Sequence, residues 1–351
     1  MTSIDSENNI NIKLAEKKDE SDWDDYVVNH KDSRVYHLYK WKELISKRMN
    51  HNSVYFIAKD SRENIVGVLP IIHMRSRLFG NFGVSLPYFN YGGALSDSDE
   101  IAESLLKEAE SYFLKSSVDY IEYRDIKKRE NLPVKTDKVT MILSLTDDAD
   151  EMLKGFKAKL RSQIKRPIRE NVVVEFGSKE LLDDFYNVFT VNMRDLGTPP
   201  YSKMFFADIL TEFSDYCYLV IARKDGEAVG AALLTGYNGI LEIPWASTIR
   251  KYNSIGVNML MYWEVIKKGI EDNYKYFDFG RCSKGSGTHK FKKQWGSEEK
   301  QLYWHYAFIN CKELPQLNVN NKKYTYFIAV WKKLPVWLTR ILGPGLVKNI
   351  S

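Results

Sequence analysis

The residues CYLVIARKDGEAVGAALLTG, from Cys217 to Gly236, give the first indication of the fold, because a similar pattern occurs earlier in the chain. It consists of an aromatic and β-branched run, a charged turn and a second apolar run, which is typical of a β-hairpin. VYFIAKDSRENIVGVLPII, from Val54 to Ile72, has the same order. The two stretches lie in different halves of a chain of 351 residues, which indicates one supersecondary unit that occurs twice.

A second pair of similar stretches follows the two hairpins. Residues 88–125 and 242–281 each predict a strand, a loop, an amphipathic helix and a strand that runs into charged residues. Such a unit builds a mixed sheet with helices packed on it. The sequence therefore predicts an α/β fold with two tandem domains, each a mixed sheet flanked by helices. We expect a first domain at residues 1–148, a second at 149–310 and a basic aromatic C-terminal tail at 311–351.

Composition excludes several classes of protein. The net charge is +5, from 51 basic and 46 acidic residues, which is too mild to indicate nucleic-acid binding by itself. The 3 cysteines form no CxxC pair and have no histidine at metal-ligand spacing, so no disulfide framework and no metal site are predicted. The polar first 20 residues and the absence of a long uncharged apolar run favour a cytoplasmic protein.

Between the two repeats, residues 151–170 predict a helix with two distinct faces. Its apolar face has residues four positions apart: Phe156, Leu160 and Ile164. The neighbouring face is basic with the same spacing: Lys157, Arg161 and Lys165. Like charges at this spacing weaken a helix unless an anion offsets them, so this face either binds an anion or is simply solvated. Pro167 is expected to end or kink the helix near Arg166.

The loop 248–258 precedes the helix of the second repeat. Free backbone N–H groups and the positive end of the helix dipole make such a helix start suitable for a pyrophosphate or another anion. Arg250, Gly256 and Asn258 are the residues expected to contribute. In the alternative interpretation, Asn253 or Ser254 only caps the helix.

Two carboxylates lie in otherwise apolar strands. Glu242 belongs to LEIPWAS and Asp278 to FDFGR, and carboxylates are seldom buried without a partner. They either face a cleft, where a raised pKa would suit a general base for an amine nucleophile, or Asp278 forms a structural ion pair with Arg281.

The segment GRCSKGSGTHKFKKQWG, from Gly280 to Gly296, combines glycines, lysines and two aromatic anchors. In an extended conformation, alternation places Lys292 on one face and Phe291, Lys293 and Trp295 on the other. A lysine fixed by aromatic neighbours could stabilise an oxyanion. Alternatively, both lysines are solvated on an edge strand. The segment is not a Walker loop, because it lacks the GxxxxGK[ST] spacing.

Six motifs together resemble a known family. RSQIKR, NMRDLGTP, LEIPWAS, FDFGR, KFKKQWG and the tail pair WKKLP and LGPG occur in this order. The chain resembles the FemAB-like branch of the GNAT acyltransferase superfamily, and within it the BioF2-like subgroup associated with exosortase and PEP-CTERM systems. The resemblance implies two GNAT-like domains, no bound cofactor, and an acyl-CoA or aminoacyl-tRNA donor. Phe291-Lys292 looks like the family's Phe-Lys element, which implies that Lys292 stabilises the transition state.

We therefore predict an acyl or aminoacyl transferase that acts on an amine of a cell-envelope or exopolysaccharide precursor. Catalytic roles are predicted for Lys292, Glu242 and Asp278. Binding of substrate or donor is predicted for these residues: Arg161, Lys165, Arg194, Trp245, Arg250, Gly256, Asn258, Arg281 and Trp295. The expected partners are a glycan, peptide or small-molecule acceptor and tRNA as a donor carrier.

Two other interpretations stay open. The chain could be a non-catalytic module that binds RNA or another polyanion, or a scaffold protein of a surface-polymer assembly. For the tail, packing back on the body is favoured over a peripheral contact with the inner face of the membrane, because its basic residues are few.

Overall fold

The computed structural model describes residues 10–76, 79–313 and 322–350. The strands are β1 Asn11–Leu14, β2 Asn52–Lys59, β3 Ile65–Ser76, β4 Gly80–Val84, β5 Leu95–Ser96, β6 Tyr120–Asp125, β7 Val134–Lys135, β8 Lys138–Ser144, β9 Val172–Gly177, β10 Cys217–Lys224, β11 Glu227–Tyr237, β12 Ile240–Thr248, β13 Tyr276–Ser283, β14 Glu298–Gln301 and β15 Tyr303–Phe308. The helices are α1 Glu20–Asn29, α2 Lys40–Met49, α3 Asp99–Leu114, α4 Ala149–Gly155, α5 Ala158–Arg169, α6 Leu182–Leu196, α7 Lys203–Glu212, α8 Val257–Glu271, α9 Gly287–Lys293, α10 Lys322–Trp331 and α11 Val336–Val347.

The described residues form two compact units, each with its own mixed sheet. Residues 10–136 and 302–313 make up the first unit, and residues 137–301 and 322–350 the second. The first sheet has the order β1-β2-β3-β4-β6-β15-β7, with β5 paired to β3, and the second has the order β14-β8-β13-β12-β11-β10-β9. In the first sheet β4 and β6 are parallel, and in the second β12 and β13 are parallel. The predicted class of two mixed sheets flanked by helices is confirmed.

Both predicted hairpins are present. β10 and β11 are antiparallel and joined by Asp225 and Gly226, whose φ angles are 50° and 84°. A two-residue turn with both φ angles positive matches the twist of the strands it joins. In the other hairpin, the Asp60 carboxylate accepts hydrogen bonds from the backbone N–H groups of Arg62 and Asn64. The local chemistry of the turns thus agrees with the strand pattern around them.

The strand predicted at the start of residues 88–125 is wrong. The corresponding strand is β4, which ends at Val84 and pairs with β3 and β6 as β12 pairs with β11 and β13. Tyr88 instead has a φ of 76°, which no β-strand accommodates. The apolar residues that follow are buried loop residues. An apolar aromatic run alone does not distinguish a buried loop from a strand.

The helix predicted over residues 151–170 is two helices. α4 ends at Gly155 and α5 begins at Ala158, because Phe156 and Lys157 have extended ψ angles of 149° and 144°. The predicted apolar face is nevertheless buried as a whole, with Phe156, Leu160 and Ile164 in the core of the second unit. Pro167 lies inside α5, which continues to Arg169, so of the two expected outcomes, an end or a kink near Arg166, the end does not occur there. Pro167 has no N–H group for a helical hydrogen bond, and only two residues of α5 follow it.

The tail packs back on the second unit, as favoured by the sequence. α11 contacts α6, and the Arg340 guanidinium donates to Thr190 Oγ1 at 3.0 Å and to Asn187 Oδ1 at 2.8 Å. Part of the predicted tail, residues 314–321 and 351, lies outside the described residues, as does the polar segment 1–9. Among helices within the described ranges, none has the length and apolar character that a bilayer crossing requires.

Candidate functional site

The two parallel strands of the second sheet separate halfway along their length. β12 and β13 pair only from Ile240 opposite Tyr276 to Glu242 opposite Asp278. Both strands then continue, β12 beside β11 to Thr248 and β13 beside β8 to Ser283. The register shifts in both strands just beyond the two carboxylates. In β12 the shift lies opposite the residues between Leu233 and Thr235 of β11. In β13 it lies between Asp278 and Arg281. The sheet therefore opens directly beyond the two carboxylates.

Glu242 and Asp278 are neighbours across this parallel pair and both are buried. Asp278 Oδ1 accepts a hydrogen bond from Thr140 Oγ1 at 2.6 Å and another from the Gly280 backbone N–H at 2.7 Å. Gly280 has a φ of 73°, a conformation that glycine adopts at little cost. The Asp278 carboxylate therefore fixes the backbone where β13 leaves β12.

Lys292 extends to the same point from α9. Its ammonium group donates to the Gly280 carbonyl at 2.8 Å and to the Arg281 carbonyl at 2.9 Å, and the residue is 7% exposed. An ammonium group has three protons, so these two hydrogen bonds leave one for a further acceptor. Lys292 thus holds the carbonyls of the shifted segment of β13 and presents a positive charge where the sheet opens.

Burial lowers the pKa of Lys292 below its ordinary value. Neighbouring acidic groups act in the opposite direction, first Cys282 and then Asp278 and Glu242, while Arg281 adds to the lowering. A charge taken from water is disfavoured unless opposite charges offset the loss of hydration. The two carboxylates therefore stabilise the charged form of Lys292, and the three side chains interact electrostatically.

The segment around Lys292 is helical, so the strand alternation considered for an extended segment does not apply. Ser286 caps α9 by accepting a hydrogen bond from the His289 backbone N–H, and His289 Nε2 lies 2.9 Å from Glu299 Oε2. In a helix, neighbouring residues point about 100° apart. Lys292 accordingly faces the interior, whereas Lys293 is exposed.

The amino terminus of α8 has no side-chain cap. Gly256 is the N-cap, with a φ of 81° and no side-chain cap, so neither Asn253 nor Ser254 caps this helix. A Cβ atom at Gly256 would lie 3.7 Å from the Gln163 carbonyl of α5. Arg250 is exposed and Asn258 is half-buried beside this end. Whether this end of the helix binds a ligand stays a prediction.

Several residues predicted to bind ligands make structural contacts instead or in addition. Arg161 donates to the carbonyls of Lys154 and Phe156 at the end of α4. Arg194 bonds Asp195 and the Leu334 carbonyl of the tail. These two guanidinium groups hold segments of the second unit together. Their roles in binding stay predictions.

The remaining predicted residues occupy different environments. Trp295 is 1% exposed and packs against the rings of Phe156 and Phe291, so it anchors α9. Trp245 is half-buried and lies edge-on to Phe206 on α7, with the ring centroids 5.4 Å apart. Lys165 is exposed on α5 and Arg281 is half-buried on β13.

Sequence reasoning missed Thr140. It lies on β8, 138 positions before the carboxylate it bonds, and an isolated threonine in a strand carries no signal of its own. Among the described residues, no three His, Cys, Asp or Glu side chains come together as ligands for a metal ion.

Comparison with known proteins identifies the domain that contains this site. Residues 154–293 match the family described as the acetyltransferase (GNAT) domain. The chain is 24% identical over 147 residues to the UDP-N-acetylmuramoylpentapeptide-lysine N(6)-alanyltransferase of Weissella viridescens, a match that covers 41% of this chain and 44% of that enzyme. The chain thus aligns with less than half the length of this relative.

Two solved structures have a similar fold. The crystal structure of FemX has a TM-score of 0.63 and 14% identity, covering 86% of this chain and 98% of that one. A tandem GNAT protein from the clavulanic acid biosynthesis pathway matches with a TM-score of 0.50 and 12% identity, and the match covers 87% of this chain and 100% of that one. The predicted tandem GNAT-like arrangement is confirmed. The chain contains an acyltransferase domain of the GNAT type, which includes Glu242, Asp278 and Lys292.

Proposed function

We propose that the protein is an acyl or aminoacyl transferase that acts on an amine of a cell-envelope or exopolysaccharide precursor. Within the FemAB-like branch of the GNAT acyltransferases, we assign it to the subgroup associated with exosortase and PEP-CTERM systems. The observation that carries the proposal is the opening of the second sheet beyond Glu242 and Asp278, beside the buried ammonium group of Lys292. An activated carbonyl could bind there against both a strand backbone and a positive charge.

The proposed reaction is a direct transfer. The acceptor amine attacks the carbonyl carbon of the donor, and the electron pair of the C=O bond moves to oxygen. The Lys292 ammonium group and backbone N–H groups of residues 245–247 would stabilise this oxyanion, as donors fixed before the reaction do. Glu242 or Asp278, directly or through water, takes the proton from the attacking nitrogen. Collapse of the intermediate forms the amide and expels either the thiolate of coenzyme A or the ribose oxygen of tRNA, which takes the proton that the carboxylate removed from the amine.

Asp278 also has a structural part in this arrangement. Its Oδ1 accepts hydrogen bonds from Thr140 and from the Gly280 backbone, so the same carboxylate holds the turn at Gly280. The proton transfer is assigned to Glu242 or Asp278.

The donor decides between two versions of the proposal. The amino terminus of α8, with Arg250 beside it, suits the pyrophosphate of an acyl-CoA. The Weissella viridescens relative is an alanyltransferase, which favours an aminoacyl-tRNA donor. Calorimetric titration with acetyl-coenzyme A at physiological salt distinguishes them. Micromolar binding that is lost in Arg250→Ala identifies an acyl-CoA donor, and no binding directs the search to aminoacyl-tRNA.

If the protein transfers from neither donor to any amine of an envelope precursor, the proposal is wrong. The competing interpretation as a polyanion-binding module makes its own prediction: affinity for RNA should fall steeply with salt, with a slope set by the number of phosphates contacted. We expect the protein to act in the cytoplasm, where both donors occur.

A further inference from the structure

The two tail helices have a buried side and an apolar exposed side. On α11 the buried residues are Thr339, Gly343 and Val347, which recur every four positions. The opposite side of α11 and the outer side of α10 expose large apolar residues, here called the tail face: Tyr326, Phe327, Val330, Trp337, Ile341 and Leu342. Large apolar side chains exposed together on two neighbouring helices are typical of an interaction site.

Three residues of the tail face also line an open apolar groove of about 400 Å³ between the two helices. The groove is lined by residues of both helices and of the turn that joins them: Phe327, Val330, Trp331, Leu334, Leu342, Gly345 and Leu346. The hydrogen bonds of Arg340 to α6 and of Arg194 to the Leu334 carbonyl hold the helices in place. The face is therefore a preformed surface of a packed helix pair and needs no unfolding to become exposed.

The charge of the tail favours an anionic partner. Residues 322–350 contain 6 lysines and arginines and no aspartate or glutamate. Lys332 and Lys333 follow α10 directly and both are exposed. Basic residues beside an apolar helix face are attracted to anionic lipid head groups. Trp337 and Tyr326 are residue types that prefer the boundary between water and hydrocarbon.

We propose that the tail face docks on the surface of a bilayer that contains anionic phospholipids. α10 and α11 would lie in the plane of the interface, with the apolar side chains among the acyl chains and the lysines at the head groups. The sequence indicated that the basic residues are few, but apolar burial supplies most of the affinity of such helices, and charge adds to it. Packing on α6 and docking on lipid use opposite sides of α11, so both occur together.

Vesicle flotation of the full chain tests this without any donor or acceptor, so the result is independent of the proposed transfer reaction. We expect binding to vesicles of phosphatidylcholine with phosphatidylglycerol, and much weaker binding to phosphatidylcholine alone or at high salt. The double substitution Trp337→Ser and Ile341→Ser should lower the partition coefficient by about a hundredfold, since burial of each large apolar side chain is worth roughly tenfold or more. Substituting Gln for both Lys332 and Lys333 should lower it by roughly fivefold per charge.

Leu114 provides a matched control, because it is 63% exposed in the first unit and Ile341 is 68% exposed. Leu114→Ser should leave vesicle binding unchanged, whereas Ile341→Ser alone should weaken it. Absence of binding to anionic vesicles, or equal loss in the two variants, would overturn the proposal. Light scattering tests the alternative that a second copy of the chain binds to the tail face. A concentration-dependent dimer that Ile341→Ser dissociates, together with no binding to vesicles, would support that alternative and overturn the proposal.

Discussion

Replacement of Lys292 by methionine removes the ammonium charge and keeps much of the apolar length of the side chain. If the ammonium group stabilises the oxyanion, its loss should lower the rate of transfer by about 10²–10³, the usual effect of removing one such donor. Binding of the donor should change much less, because the oxyanion exists only after attack. The assay is single-turnover transfer from the donor identified by calorimetry, with affinity measured in parallel.

The effect on stability should be smaller than the effect on the rate. The substitution leaves the Gly280 and Arg281 carbonyls without their donor, at about 1–3 kcal/mol for each buried group that water cannot reach. Removal of a buried charge offsets part of this cost. We expect a net loss of about 2 kcal/mol in the free energy of unfolding, measured by urea denaturation, and a folded protein at 25 °C.

The pH dependence gives an independent readout. Burial sets the pKa of Lys292 below its ordinary 10.5, so the rate should fall with rising pH before pH 10.5 is reached, and Lys292→Met should lack this decline. The unfolded chain binds this proton up to a higher pH than the folded protein. Between the pKa of Lys292 in the folded protein and its pKa in the unfolded chain, the free energy of unfolding should therefore rise with pH. The Lys292→Met variant should not show this rise.

Lys293→Met is the matched control, because the same residue type is exposed one position further along α9. It should transfer at the normal rate. Transfer by Lys292→Met within about threefold of the wild-type rate, far from the 10²–10³ expected, would refute the catalytic role. A parallel loss of donor affinity and rate would instead make Lys292 a residue that positions the β13 backbone.

Three further predictions concern the stability of the protein and the carboxylate of Asp278. Burial, aided by the charge of Arg34, lowers the pKa of His37 to about 4, so the unfolded chain binds more protons between pH 4 and 6.5. Wild-type stability should therefore fall by roughly 3 kcal/mol over that range as the pH is lowered, and the urea midpoint of His37→Gln should fall less; equal slopes would contradict this. Gly93→Ala should cost about 1–3 kcal/mol by overpacking, because its Cβ atom would overlap a carboxylate oxygen of Asp125. Gly155→Ala, with nothing within 4 Å, should leave the melting temperature nearly unchanged, and similar losses in both variants would argue against the clash. Thr140→Val removes a hydrogen bond to a buried carboxylate and should cost about 2 kcal/mol together with part of the transfer rate; an unchanged rate would separate this carboxylate from the chemistry.

The fold class could be predicted from local patterns, namely alternation along strands and the residues of the turns between them. The hairpins around residues 60 and 225 were predictable because charged turns between apolar β-branched runs leave few other conformations. The buried face of Phe156, Leu160 and Ile164 was predictable for a similar reason, since helical periodicity records which side meets the core. The break between α4 and α5 was not, because it depends on how each helix packs and not on the period.

The residues of the candidate site could be nominated from the sequence, but their geometry could not. A carboxylate in an apolar strand and a lysine among aromatics are visible as exceptions to burial rules, which is how Glu242, Asp278 and Lys292 were found. Their contact depends on strand register. Glu242 meets Asp278 only because β12 and β13 pair in parallel at those positions, and residues far apart in sequence carry no local mark of such pairing.

Residue patterns alone thus identify the repeated α/β unit, the buried faces and the unusual polar residues within them, because these features follow from periodicity and the cost of burial. Three features are visible only in the folded chain: the place where the second sheet opens, the hydrogen bond from Thr140 to Asp278, and the inward direction of Lys292 on its helix. They depend on hydrogen bonds and charges that act over long sequence distances, and how whole elements pack sets these. The same packing turned the tail into a helix pair with one side on α6 and the other side exposed.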